Sequence, residues 1–241
     1  MKLYHFTSLE SFTKIWVTKQ LLFSESRNLN DCFEKQRYID SSSPDGAMLY
    51  LYNPKALEKY YKVLAKYKQI SFALDSEKED GFKSPMMWGH YAHNENGVCI
   101  ELDSEKLPSL KKAFMGKVIY DYNVPSIPFD ERILLGESDI HSFIQEYQEK
   151  IFFIKHKHWE HENEYRIISN EMGSLSIADA ITRIYVYNKS SVNTKVVRKL
   201  VNDEVDVLYL TVTPRHDGVH IGSMNLNYHD DFEKKFKGYK Y

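Results

Sequence analysis

The chain has 241 residues, 42% hydrophobic and 14% aromatic, enough to bury a core, so disorder, collagen and coiled coil are excluded as descriptions of the whole. Its 32 Lys plus Arg against 34 Asp plus Glu give a formal charge of -2, without the single-sign field of a polybasic nucleic-acid or membrane-surface binder. An anionic partner therefore has to be met in a local pocket. Two cysteines, Cys32 and Cys99, argue against a disulfide framework, and neither a signal-peptide core nor a run of about 20 apolar residues occurs. These features predict a soluble, cytoplasmic protein with no membrane partner.

In chain order, Lys2 to Phe6 alternates like a strand, and Thr7-Ser8-Leu9-Glu10 has capping-box spacing for a helix whose Leu9, Phe12, Ile15 and Trp16 share a face. Leu21-Leu22-Phe23 makes a short strand. Arg27 to Glu34 is polar and rich in turn formers and reads as a loop, as does the small-residue cluster Ser41 to Gly46. A helix is expected from Pro54, capped by Asn53, to about Tyr67. Gln69 to Leu74 is a strand, and Ser84-Pro85 opens a short helix that Gly97 stops before the strand Val98 to Leu102. Lys117 to Tyr122 reads as a strand, Ser138 to about Lys157 as one long helix with Ile140, Phe143, Ile144, Tyr147 and Ile151 along one side, and Tyr165 to Ser169 as the next strand. Arg183 to Tyr187 and Asp206 to Val212 are strands around a helix at Val192 to Val205.

Short alternating strands between helices, with few continuous Val/Ile runs, predict an α+β fold: a mixed, largely antiparallel sheet with flanking helices. No G-x-G-x-x-G and no P-loop occurs, so a Rossmann site is not expected. No linker or repeat interrupts the chain, which predicts one domain over residues 1–241.

Four clusters carry groups capable of chemistry. In Tyr4-His5-Phe6-Thr7 a strand places His5 on the face opposite the two aromatics, toward a cleft or solvent. Ser84 to His93 packs Met86, Met87, Trp88, His90 and Tyr91 into one short helix, a density that fits a pocket wall and a doubly buried helix equally. His156, His158 and His161 invite a metal reading, but their spacing matches neither H-E-x-x-H nor another recognised ligand pattern, and no metal is expected. If Glu162 to Arg166 is extended, Glu162, Glu164 and Arg166 share a face at roughly 7 Å per step. Two readings of that pair are open: Arg166 holding Glu164 ionised and fixed, as a carboxylate facing a cationic transition state needs, or a surface ion pair on a sheet, worth roughly 0–1 kcal/mol. Arginine is scarce, 25 of the 32 basic residues being Lys, which sets Arg166 apart from generic surface charge. The basic and aromatic tail Phe232 to Tyr241 reads as a solvated end.

LYHFTSLESF near the start, LNDCFE, SFALDSE followed by SPMMWGHYAHNENGVCIELD, and WEHENEYRI together resemble a bacterial family known as domain of unknown function 2971, over Leu3 to about Ile168. More distantly, the chain is similar to the ADP-ribosyltransferase-like enzymes. His5 and Thr7 look like their first-strand H-x-T, where the His orients the adenosine ribose of NAD. Ser71-Phe72-Ala73 with Ser84 and Tyr91 is similar to their strand and helix carrying a Tyr that stacks on nicotinamide. Glu162-Asn163-Glu164 looks like the carboxylate strand that grips the nicotinamide ribose. Phe6 stands where a Gly usually follows the first His, and Tyr165-Arg166 is not part of the usual signature. The resemblance implies a split-sheet fold, NAD as co-substrate, and transfer of ADP-ribose to a protein or nucleic acid, or hydrolysis of NAD, in a setting such as bacterial defence. It assigns Glu164 as catalytic with Glu162 assisting and Arg166 in support. His5, Thr7, Arg27, Asn30 and Tyr91 are assigned to the cofactor. Two other functions remain open: a metal-dependent hydrolase or nuclease built on His156, His158 and His161, and a non-catalytic module that binds a nucleotide or a partner.

Overall fold

The computed structural model describes residues 1–25, 31, 39–93, 96–187, 191–202, 204–215 and 218–225. Arg27, Asn30 and Cys32, and the tail from Phe232 to Tyr241, lie outside the described residues. The first half of the chain contains β1 (Lys2–Thr7), α1 (Leu9–Thr18), β2 (Gln20–Leu22), β3 (Ser24–Glu25), α2 (Pro44–Tyr52), α3 (Pro54–Leu64), β4 (Lys68–Ala73), α4 (Pro85–Tyr91) and β5 (Val98–Asp103). There follow β6 (Phe114–Lys117), β7 (Ile119–Asp121), α5 (Glu137–Glu146), α6 (Gln148–Phe152), β8 (Ile154–His156), β9 (Glu164–Ser169), β10 (Ser174–Ser176), β11 (Ile181–Tyr187), α7 (Ser191–Val201), β12 (Asp206–Arg215) and β13 (Gly218–Asn225). Strand pairing is mixed and largely antiparallel, and the fold is α+β as the alternation of elements predicts. No helix among the described residues is long and apolar enough to cross a membrane.

The chain forms two compact units, each assembled from separated segments. The first comprises Met1–Leu21, Phe72–Pro108 and the described residues from Ser176 on; the second comprises Leu22–Ser71 and Ser109–Leu175.

In the first unit the strands run in the order β13, β12, β11, β5, β1, and Tyr4 of β1 stands opposite Ala73 at the end of β4. β11 and β12 are the parallel pair, joined through α7, because parallel neighbours need a crossover that a tight turn cannot supply. The register of β1 on β5 sets Tyr4 opposite Glu101, His5 opposite Ile100 and Phe6 opposite Cys99. Tyr4 and Phe6 therefore share a face with Cys99, and both pack in a core with Phe82, Trp88 and Tyr185. Phe82 and Tyr185 stack at 4.1 Å, and the buried Trp88 indole donates to the Phe82 carbonyl at 2.7 Å. Of the two readings of the α4 cluster, the core reading holds for Trp88 and Met87, while Met86 and His90 are exposed. Gly97 is required by close approach: a Cβ there would lie 2.1 Å from the Thr7 carbonyl oxygen. The cap of α1 is Ser8, which accepts from the Ser11 amide, one residue later than the capping box predicts; Glu10 instead pairs with Lys14 four residues on.

In the second unit β9 lies between β6 and the Lys68–Ser71 part of β4, and β3 pairs with β4. Tyr60 and Val63 of α3 meet Ile140, Phe143 and Ile144 of α5 and Ile151 of α6 in one apolar core. Three expectations change here. Ser43 accepts from the Gly46 amide with Pro44 in the first turn, so the Ser41 to Gly46 segment starts a helix, α2, rather than making a loop. The long helix is interrupted at Tyr147 and gives way to β8 at Ile154, where the buried β-prone run Ile151-Phe152-Phe153-Ile154 ends. The strand from Lys117 to Tyr122 is broken at Val118. Val118 donates to the Glu164 carbonyl and Ile119 to the Phe153 carbonyl, so the chain leaves β9 and pairs with β8.

Candidate functional site

The second unit gathers charge in its interior. β9 carries Glu164 and Arg166 two residues apart and hence on one face. β8 carries Lys155 at its centre, and its parallel pairing with β7 sets Tyr120 opposite Lys155. Between β8 and β9 the chain makes a 3₁₀ helix, Lys157–Glu162, and turns into β9 through Asn163 at φ 42°, a left-handed conformation that Asn tolerates better than most side chains. The extended run from Glu162 to Arg166 is therefore not formed. Glu162 ends the 3₁₀ helix and joins Glu164 through a third residue, Lys155, rather than through strand periodicity.

The contacts are short and specific. Arg166 Nε donates to Glu164 Oε1 at 2.8 Å and Nη2 to Oε2 at 2.7 Å, a bidentate pair, while Nη1 donates to the Phe152 carbonyl at 2.7 Å. Lys155 Nζ donates to Glu162 Oε2 at 2.5 Å, lies 3.5 Å from Glu164 Oε2, and sits 4.7 Å over the Trp159 ring. The Glu164 amide donates to the Tyr120 hydroxyl at 2.9 Å, and the Ser71 hydroxyl bonds the Glu164 carboxylate. None of Lys155, Glu162, Glu164 and Arg166 is more than 6% exposed. Two carboxylates face two cations in this cluster. Burial pushes the Glu164 carboxyl up, but the charge and hydrogen bonds of Arg166, with Lys155 beside it, prevail and hold it down to about 2. Burial, then the Glu164 charge, push the Tyr120 phenol well above its ordinary value. Tyr120 stays a neutral donor and acceptor.

Of the residues singled out in the sequence, Glu162, Glu164 and Arg166 come together here, and His5, Thr7 and Tyr91 belong to the first unit. His5 is half-buried with its ring edge toward Phe72 at 6.0 Å; Thr7 is buried; Tyr91 packs half-buried against the Trp88 core. His156 and His158 have ring centroids 4.6 Å apart, but the His161 ring turns to the His158 carbonyl at 3.1 Å. Among the described residues no group of three or more His, Cys, Asp or Glu side chains is placed to hold a metal ion. Sequence reasoning missed Lys155 and Tyr120. The available signal was the single Lys in an apolar run, Ile151 to Lys155, where a charge needs a buried partner.

Residues 87–167 match the model of a family described as a protein of unknown function. That family is DUF2971. The match bears out the resemblance to DUF2971 over a stretch from α4 into β9, and this stretch contains Lys155, Glu162, Glu164 and Arg166. No curated protein matches the chain. The DUF2971 description assigns no activity, so the chemistry has to be argued from the cluster.

Proposed function

We propose that the protein is an NAD-using enzyme of ADP-ribosyltransferase-like type, passing ADP-ribose to a protein or nucleic acid, or to water. Breaking the bond between nicotinamide and ribose builds positive charge on the sugar and needs an oriented, ionised carboxylate more than proton transfer. The observation that most supports this reading is the bidentate Arg166 pair, which keeps Glu164 ionised and rotationally fixed inside the protein. In this reading Glu164 stabilises the ribose cation, Glu162 assists, and Arg166 is a positioning residue. The resemblance assigns His5, Thr7, Arg27, Asn30 and Tyr91 to the cofactor.

One observation favours a second reading. Arg166 and Lys155 already neutralise both carboxylates, as they would in a scaffold, and a non-catalytic module that binds a nucleotide or partner needs no more than that. Incubation of the full chain with NAD labelled in its adenosine half separates the two. The enzyme reading expects free nicotinamide, with label on protein, DNA, RNA or free ADP-ribose, and a loss of about 100-fold or more in Glu164→Gln preparations that still unfold cooperatively. Equal nicotinamide release by folded Glu164→Gln refutes it, and NAD binding without release establishes the second reading.

A further inference from the structure

A second site lies on α2, apart from the charged cluster and independent of the NAD reading. Asp45, Met48, Leu49 and Tyr52 recur at i, i+3, i+4 and i+7, one stripe of the helix. They line an open groove of about 490 Å³, faced on the other side by Glu131, Leu134 and Leu135. That volume is within the roughly 300–1,000 Å³ of ligand clefts. Leu49 is buried at its floor, whereas Met48, Tyr52, Leu134 and Leu135 are each at least 45% exposed. Single exposed apolar side chains are ordinary; four lining one groove mark an interaction surface.

The charged side chains that line the groove are both acidic. Asp45 and Glu131 are its charged lining residues, and neither makes an ion pair among the described residues. Two cations lie beside the lining: Lys59 donates to the carbonyl of the lining residue Leu135 at 2.6 Å, and Arg132, next to Glu131, bridges Asp130 and Glu146, each at 2.7 Å. An apolar trough with unpaired carboxylates at its rim is complementary to a helix that carries Leu-type residues on one face and Lys or Arg beside them. We propose that this groove docks a basic amphipathic helical segment of a partner protein, its apolar stripe on Met48, Tyr52, Leu134 and Leu135 and its cations at Asp45 and Glu131.

The test uses a fluorescein-labelled synthetic peptide of Leu and Lys in a helical heptad pattern, a matched Leu/Glu peptide, and the full chain, read by fluorescence anisotropy. The Leu/Lys peptide is expected to bind and the Leu/Glu peptide not to. Asp45→Asn with Glu131→Gln should weaken binding about fivefold or more, and Tyr52→Ser with Leu135→Ser about tenfold or more. Both double variants change exposed side chains and should keep the wild-type melting temperature within a few degrees. Wild-type affinity in either double variant, equal binding of the Leu/Glu peptide, or no binding by the wild-type chain overturns the proposal. So does sedimentation showing the chain self-associated through this groove, with association lost in Tyr52→Ser/Leu135→Ser, because the occupant is then a second copy.

Discussion

Glu164→Gln removes one negative charge from a buried cluster in which two carboxylates balance two cations. Although burial opposes it, Arg166 with Lys155 brings the Glu164 carboxyl from an ordinary 4.5 to about 2. At about 1.4 kcal/mol per pH unit, that difference amounts to about 3 kcal/mol of native stability linked to this one ionisation. The same size follows from leaving a buried cation without its partner, which costs about 3–5 kcal/mol. The variant should therefore be less stable than wild type by about 3 kcal/mol at neutral pH. The sign with pH is fixed. The folded value lies below the unfolded one, so the contribution is complete above about pH 4.5 and is lost as pH falls toward 2. Urea denaturation of wild type and Glu164→Gln at intervals from pH 7 to pH 2.5 measures this directly. The gap between the two should be constant above about pH 5 and shrink below it, since a protonated Glu164 resembles Gln. A gap that does not depend on pH, or a variant as stable as wild type at pH 7, refutes the electrostatic account of the cluster.

Lys155→Met orphans Glu162, which is 3% exposed, and should destabilise by about 3–5 kcal/mol in the same denaturation assay. Adding Glu162→Gln to it should recover part of that loss by removing the orphaned charge; no recovery contradicts the pairing. Cys99 is fully buried in β5, and burial, then the charge of Glu101, push its thiol well above the ordinary range. Its tryptic peptide should resist iodoacetamide in the native protein and react once urea is added, a contrast that mass spectrometry reads at Cys99 itself.

Local signals account for most of what was legible. β1, α1, β5 and β11 follow from alternation and helical spacing within single segments, and Ser84-Pro85 marks α4 because a Ser cap before Pro describes a helix start by itself. The identical signal at Ser43-Pro44 was obscured by the neighbouring serines and Gly46, which favour turns when read as composition. Strand exchange at Val118 and the change from helix to strand after Phe152 depend on partners distant in sequence. The run Ile151 to Ile154 is apolar enough for either state, and the pairing of β8 with β7 decides it. The two units stayed hidden for a related reason: each is built from interleaved segments, and the chain passes from one to the other inside β4, where composition has no reason to change.

At the charged cluster, the pairing of Glu164 with Arg166 was readable because strand spacing alone puts them on one face. The place of Glu162 was not, since a left-handed Asn163 breaks the strand and Lys155, seven residues before Glu162, makes the connection. Lys155 also changes what the cluster can do. A cation developing on a ribose would have to compete with Lys155 and Arg166 for the same oxygens, so its stabilisation by Glu164 depends on how far those two withdraw charge from the carboxylate. Arg166 takes both oxygens in a rigid fork, whereas Lys155 contacts Glu164 at the longer 3.5 Å and holds Glu162 at 2.5 Å. In the proposed reaction, Lys155 would donate to Glu162 alone, and Glu162 would then draw a competing cation away from Glu164. It follows that Glu162→Gln, by freeing Lys155 to pair with Glu164, should lower turnover in protein that remains folded if Glu164 is catalytic, whereas in a scaffold the same change moves stability alone.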